Sequence, residues 1–187
     1  MGSPSTTKTY GYIFCALAIG ISSILIQARH SPRWMKYLPQ NVASTKSYES
    51  FESFYPHYLD EHTLHVTRQL HYVGTSLFLV SMVMKPILII PAVAAAMTGY
   101  SLVPFLRGFA TGIPEMAIML LIYILGGRLL GKSYVAMMKP LVFSYSFAWI
   151  GHFFYEKNKP ATFIYPTYSF MGDFRLVFDA IKSQISS

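Results

Sequence analysis

The run "AWIGHFFYEKNKPATFIYP", residues 148–166, closes a long apolar segment, then delivers a histidine, a glutamate four residues later, a charged turn and a proline. Such a stretch reads as the end of a membrane helix, with lipid as solvent before it and water after it. His152 and Glu156 are neighbours on one helical face at that boundary. By itself the pair fits either a metal site or a local hydrogen bond, and the rest of the chain has to separate the two.

Composition supports the membrane. Of 187 residues, 53% are apolar and only 12% are charged, about half the charge of an ordinary soluble domain. The net charge of +7 suggests nucleic acid until the bases are located. They stand singly at the ends of apolar runs, with no cluster of five or six, so no nucleic-acid partner is expected. The single cysteine, Cys15, excludes an internal disulfide and a Cys-based zinc site, and it reads as a small buried hydrophobe.

Residues 10–26, "YGYIFCALAIGISSILI", are apolar or small throughout. Only Lys8 precedes them and no small-x-small cleavage site follows, which favours an uncleaved anchor over a signal peptide. A polar linker with Pro32 and Pro39 completes an N-terminal region, 1–47; the remaining 48–187 form one domain. In 48–62, Phe51, Phe54, Tyr55, Tyr58 and Leu59 recur at helical spacing, with Pro56 placed to kink the helix. Four apolar runs follow, at 70–84, 86–106, 116–131 and 134–155; "GGRLLG" interrupts the third, which is expected to be re-entrant or tilted. The tail "FRLVFDAIKSQI" aligns Phe174, Val177, Phe178, Ile181 and Ile185 on one stripe and suits the membrane interface. The fold expected is all-α: an integral membrane helical bundle of four to five membrane segments with a C-terminal interfacial helix.

Basic residues set the orientation. With residues 28 onward in the cytosol and each later run crossing, Arg29, Arg33, Lys36, Lys46, Arg68, Arg107, Lys157, Lys159, Arg175 and Lys182 fall inside. Lys8, Lys85, Arg128, Lys132 and Lys139 fall outside, in keeping with the positive-inside tendency. An even number of crossings then returns residues 57–71 and 152–173 to one face.

Those two regions hold five of the six histidines: His57, His62, His65 and His71 in the first, His152 in the second. Neutral imidazoles converging there suit iron, zinc or copper. His62 and His71 are nine residues apart, about two and a half turns, so on one straight helix they face opposite ways. Sharing an ion requires a break between them, and Thr67 is a candidate cap for a new helix through His71. The HxxxH and HxxHH boxes of fatty-acid hydroxylases and desaturases do not occur, nor does a G-x-S-x-G elbow or a correctly spaced phosphate loop.

Two blocks carry a resemblance. "FYPHYLDEHTLHVTRQLHYVGTSL" is similar to F-x-x-x-Y-x-x-x-H followed by N-R-x-x-H-x-x-G-T. "YSFAWIGHFFYEKNKPATFIYPTYSFMGDFRL" is similar to A-W-x-G-H-x-x-x-E-x-N-x-P-A-T-F with a later G-D-F. Both resemble the 2-hydroxy fatty acid dioxygenase family, named through its fungal member for metabolism of phytosphingosine to odd-numbered fatty acids. The resemblance implies a multi-pass enzyme of the endoplasmic reticulum membrane, with its metal-site residues on the cytosolic face. It implies Fe(2+) as cofactor, with a 2-hydroxy long-chain fatty acid, dioxygen and membrane lipid as partners, the acid being shortened by one carbon in sphingoid-base breakdown. Carried over, His62, His71 and His152 are the metal ligands and Glu156 the motif carboxylate, either a fourth ligand or an acceptor orienting an imidazole.

Arg68, with Lys157 and Lys159, suits either of two roles, drawing in the substrate carboxylate or snorkelling to the headgroup level; Asp173 and Tyr155 are weaker candidates. Where relatives have Asn-Pro character, this chain has His65 and Thr67, so His65 reads as helix surface. A segment near 107–131 is an insertion relative to compact members. The competing expectation is a non-catalytic scaffold or lipid-binding protein of the same fold.

Overall fold

A computed structural model describes residues 4–29 and 31–185. It is all-helical, with no strand among the described residues. The elements are α1 (Pro4–Ala28), a short α2 (Pro32–Met35), α3 (Phe51–Asp60), α4 (His65–Met84), α5 (Ile89–Leu102), α6 (Ile113–Leu129), α7 (Tyr134–Ile150) and α8 (Pro166–Ile185). A 3-10 turn, Pro86–Leu88, links α4 to α5, and a π-helical turn, Gly151–Glu156, continues α7.

Local chemistry explains the boundaries. Ser50 caps α3 and exchanges hydrogen bonds with Ser53 in a capping box. Pro56 lies inside α3 without ending it. Ser133 caps α7 by accepting from the Ala136 N–H. Helix α6 stops at Gly131, whose φ of 78° is open to glycine and strained for most residues.

"GGRLLG" does not break the third apolar run: Gly126 and Gly127 lie inside α6. They are small because neighbours crowd them, Gly126 against Cys15 and Pro91, Gly127 against Met137. Close approach, not chain reversal, explains the pair. Cys15 is fully buried, and α1 packs along α5 and α6, with the Ser22 hydroxyl donating to Thr98 at 3.3 Å.

Helices α4 and α7 pack closely. At Gly74 a Cβ atom would sit 2.8 Å from the Ser144 carbonyl oxygen, so only glycine permits this approach. A second core gathers Phe51, Phe54, Tyr58, Tyr165, Tyr168 and Leu176 where α3 meets α8. The first half of α8 is thus core; Phe178, Ile181 and Ile185, farther along, are exposed. The linker is fastened to this core by Lys46, which is buried, donates to the Ile164 carbonyl and lies 4.8 Å over the Tyr165 ring. Burial lowers its amine below the usual lysine range.

Among the described residues, one helix, Ser5–Ala28, is long and apolar enough to cross a membrane. Residues His65–Met84 and Pro86–Leu102 pass that test only together, as a pair bent by 110°. Helices α6 and α7 have 17 residues each, or about 26 Å against a hydrocarbon layer of about 30 Å.

Candidate metal centre

The break required between His62 and His71 exists, but it lies at Glu61–Leu64 rather than at Thr67. Helix α3 ends at Asp60 and α4 starts at His65; Thr67 is buried inside α4. The new helix has no cap of its own at Leu64. Its orphan donor is satisfied from across the fold by Glu156, whose Oε1 accepts from the Leu64 N–H at 2.7 Å and whose Oε2 accepts from the Thr63 hydroxyl at 3.0 Å. The carboxylate of Glu156 therefore bonds to the α3–α4 turn and to no imidazole.

His62 hangs from that turn, His71 from the second turn of α4, and His152 from the π-turn after α7. Their side chains are 0%, 4% and 2% exposed, and one ligand nitrogen from each lies within 4.8 Å of the others. The ring centroids are 4.4, 4.6 and 5.2 Å apart. The π-turn matters here: it wraps the backbone so that His152 faces inward while Glu156 reaches the neighbouring turn. It ends at Lys157, in the left-handed region at φ 57°.

Hydrogen bonds decide which nitrogens face one another. His62 Nδ1 meets the Tyr58 carbonyl, which can only accept, so this nitrogen carries the proton. His71 Nδ1 donates to Asp173 Oδ1 at 2.8 Å. His152 Nδ1 lies 2.7 Å from Asn158 Oδ1. The amide orientation of Asn158 is fixed because its Nδ2 donates to the Glu61 carbonyl at 3.0 Å, so His152 Nδ1 is again the donor. Each neutral ring is left with a bare Nε2 lone pair.

Two of those nitrogens, on His62 and His71, are 3.1 Å apart. With the protons elsewhere, the two lone pairs repel unless a cation stands between them. Nitrogens bound at about 2.1 Å and at right angles to one ion are about 3.0 Å apart, which matches. Burial, and then the adjacent His71 ring, pushes the His62 pKa down to about 2. Burial also lowers that of His152, against the opposing bond to Asn158. Neutral rings with free lone pairs are what a metal ion takes. The residues fit the group: His62, His71 and His152 can hold a metal ion.

Behind the rings stands a layer built from two motif residues, Tyr58 and Asp173, of which the sequence offers only Asp173 as a candidate, and a weaker one. Tyr58 stacks on His62, centroids 4.1 Å apart, and donates its hydroxyl to Asp173 Oδ1 at 2.6 Å. Burial and Asp173 raise that hydroxyl well above the usual tyrosine value, so it stays protonated. Asp173 thus ties His71 and Tyr58 together, the carboxylate–histidine arrangement that orients a ligand and makes it more basic. The signal is present in the sequence: Phe54, Tyr58 and His62 stand four residues apart, from α3 into the turn that follows it, as in the F-x-x-x-Y-x-x-x-H pattern.

Arg68 is half-buried and donates Nε to the His62 carbonyl at 2.6 Å, so its charge stands at the edge of the cluster. Lys157, Lys159, Tyr155 and His65 are exposed. His57 stacks on Tyr48 and pairs with Glu61 at 3.5 Å, away from the three rings.

No curated protein and no solved structure matches the chain. The profile of one family, described as 2-hydroxy-palmitic acid dioxygenase Mpo1-like, matches residues 48–185. That span covers α3 through α8 and every residue of the histidine cluster and its supporting layer. The chain belongs to the 2-hydroxy-palmitic acid dioxygenase Mpo1-like family.

Proposed function

We propose that this protein is an iron(II)-dependent dioxygenase that shortens long-chain 2-hydroxy fatty acids by one carbon. The observation that carries the reading is the set of three buried imidazoles whose Nδ1 protons are all committed outward, each leaving an Nε2 lone pair, in a cluster whose ligand atoms lie within 4.8 Å of one another. Such a donor set, with positions left over for substrate and dioxygen, suits ferrous iron. The family's description supplies the substrate class.

Bound iron would supply the redox chemistry that lets dioxygen react with the hydroxy acid. The acid itself gives all the electrons that dioxygen accepts, so the products are the shortened acid, carbon dioxide and water, with no further reductant. The chain's residues do the rest. His62, His71 and His152 hold the ion; Asp173, Asn158 and the Tyr58 carbonyl hold the rings in one tautomer. Arg68 receives the substrate carboxylate at the cluster's edge and, through the His62 carbonyl, fixes the turn that carries that ligand. Glu156 is a positioning residue that locks the α3–α4 turn to the π-turn, so that His62 and His152 keep register.

The protein works in a membrane, for which the endoplasmic reticulum is the expectation, with the cluster on the cytosolic face. Helix α1 crosses it. The exposed apolar side chains of α4 to α7, such as Val83 and Met84 (each 76% exposed) and Val142, face lipid. The test is oxygen uptake by purified protein given 2-hydroxypalmitate, with and without ferrous iron. Iron-dependent uptake with formation of the acid one carbon shorter is expected; absence of both, in protein that has bound iron, refutes the reading.

A further inference from the structure

A cavity of about 410 Å³ opens beside the histidine cluster. At one end it touches Asp173, the partner of His71, and Thr75, one helical turn beyond His71. Along α7 its lining runs from Trp149, three residues before His152, back to Met138. Those eleven steps of helix measure about 16 Å. With carbon–carbon bonds of about 1.5 Å in a zigzag, that length takes about a dozen carbons. The walls between are almost wholly apolar, with Phe78, Phe170 and Phe174 along the middle.

The two ends differ. The far end abuts the buried core of Met82, Leu88 and Met137. It is lined there by Tyr123, whose hydroxyl donates to the Met137 carbonyl at 3.1 Å and so ties α6 to α7, and by Ala92 from the first turn of α5, which packs on that core. The side is open: Leu120 of α6 and Val142 and Trp149 of α7 line the cavity and are 38%, 54% and 44% exposed to the surroundings. A chain can therefore enter sideways between α6 and α7, without passing through water.

We propose that this cavity is the alkyl-chain site of the hydroxy acid, entered laterally from the bilayer, and that Ala92 and Met138 at its closed end set the longest chain accepted. The proposal rests on the reading of the histidine cluster as the reacting centre, because that fixes where the carboxyl end lies. Its occupant follows from its shape and lining: an apolar slot of fatty-chain length with one polar end beside the histidine cluster. Ala92 is small and half-buried, so enlarging it shortens the slot, and trimming Met138 lengthens it.

The experiment uses full-length protein in detergent and measures displacement of a fluorescent fatty acid by 2-hydroxy acids of increasing length. In the wild type, affinity rises by up to about 4-fold per methylene until the chain meets the closed end, then levels. Ala92→Leu adds three carbons to the floor; the break moves to shorter chains, and acids beyond it lose up to about 60-fold. Met138→Ala moves the break to longer chains. Should both variants, folded by circular dichroism, keep the wild-type break, the proposal is overturned. It is equally overturned if hydroxy acids do not compete because copurified phospholipid holds the slot. His152→Ala separates the two readings: it loses iron yet keeps the chain-length break. Failure of the iron assignment therefore leaves this result standing, and the reverse holds too.

Discussion

Replacing Asp173 tests whether the layer behind the imidazoles serves the metal or only the fold. Asp173 Oδ1 accepts from His71 Nδ1 at 2.8 Å and from the Tyr58 hydroxyl at 2.6 Å. In Asp173→Ala both donors lose their partner. Each orphan costs about 1–3 kcal/mol, and because Asp173 is 18% exposed water relieves part of this. A total of about 2–3 kcal/mol is expected, or about 4–12 °C in Tm for a chain of this size. Metal affinity should fall by about 10- to 100-fold, since His71 loses the bond that orients it. Asp173→Asn keeps the volume and one acceptor but loses the charge, so it should sit at the low end of that range. The assay is anaerobic titration of ferrous iron, with thermal unfolding in parallel. If Tm falls as expected while iron affinity stays within about two-fold of wild type, the carboxylate is structural only and the argument from its bond to His71 is refuted.

Stability of the metal-free protein should depend on pH through His62, whose pKa is about 2 when folded against the usual 6.5. Folding excludes a proton there, so this contribution is fully present above pH 6.5 and declines as pH falls toward 2. About 2 kcal/mol should be gone by pH 5, and unfolding curves of His62→Gln should be flatter over the same interval. Glu156→Ala orphans the Leu64 N–H and the Thr63 hydroxyl; a loss of about 1–3 kcal/mol is expected, with one iron still bound per chain. Loss of iron from a folded Glu156→Ala protein would refute a three-histidine donor set that holds the ion without this carboxylate. Gly74→Ala forces a methyl against the Ser144 carbonyl and should cost about 1–3 kcal/mol by separating α4 from α7, read as a lower Tm.

How legible was this molecule? The helices were, because runs such as 134–155 are apolar over lengths that no strand needs. The shared site of His62, His71 and His152 was legible only in part. Nine residues of spacing demand a break, yet the local candidate for it, Thr67, lies inside α4, although its β-branched side chain favours caps and non-helical backbone. The actual cap for α4 comes from Glu156, 92 residues away, and no local pattern announces it. Asp173 reads in sequence only as a weaker candidate, because its partner His71 stands 102 residues away. The glycine pair in α6 misled in another way: in sequence it reads as a breaker, whereas its neighbours in space, Cys15 and Met137, make smallness the requirement. The π-turn is invisible in composition, because its register is set by packing and not by residue type.

All three rings hang from the ends of their helices: a turn before α4, its second coil, and the winding after α7. The centre consequently occupies one rim of the bundle, and two close contacts join its helices there: Gly151 against Thr67 and, seven residues farther along each member of the pair, Gly74 against Ser144. Held at two points, the pair resists shear beside the rim, while α4 and α7 each run ten residues past the inner contact. On the proposed reading, the deep end of the slot is therefore the part that substitutions can reshape while the spacing of the nitrogens is held.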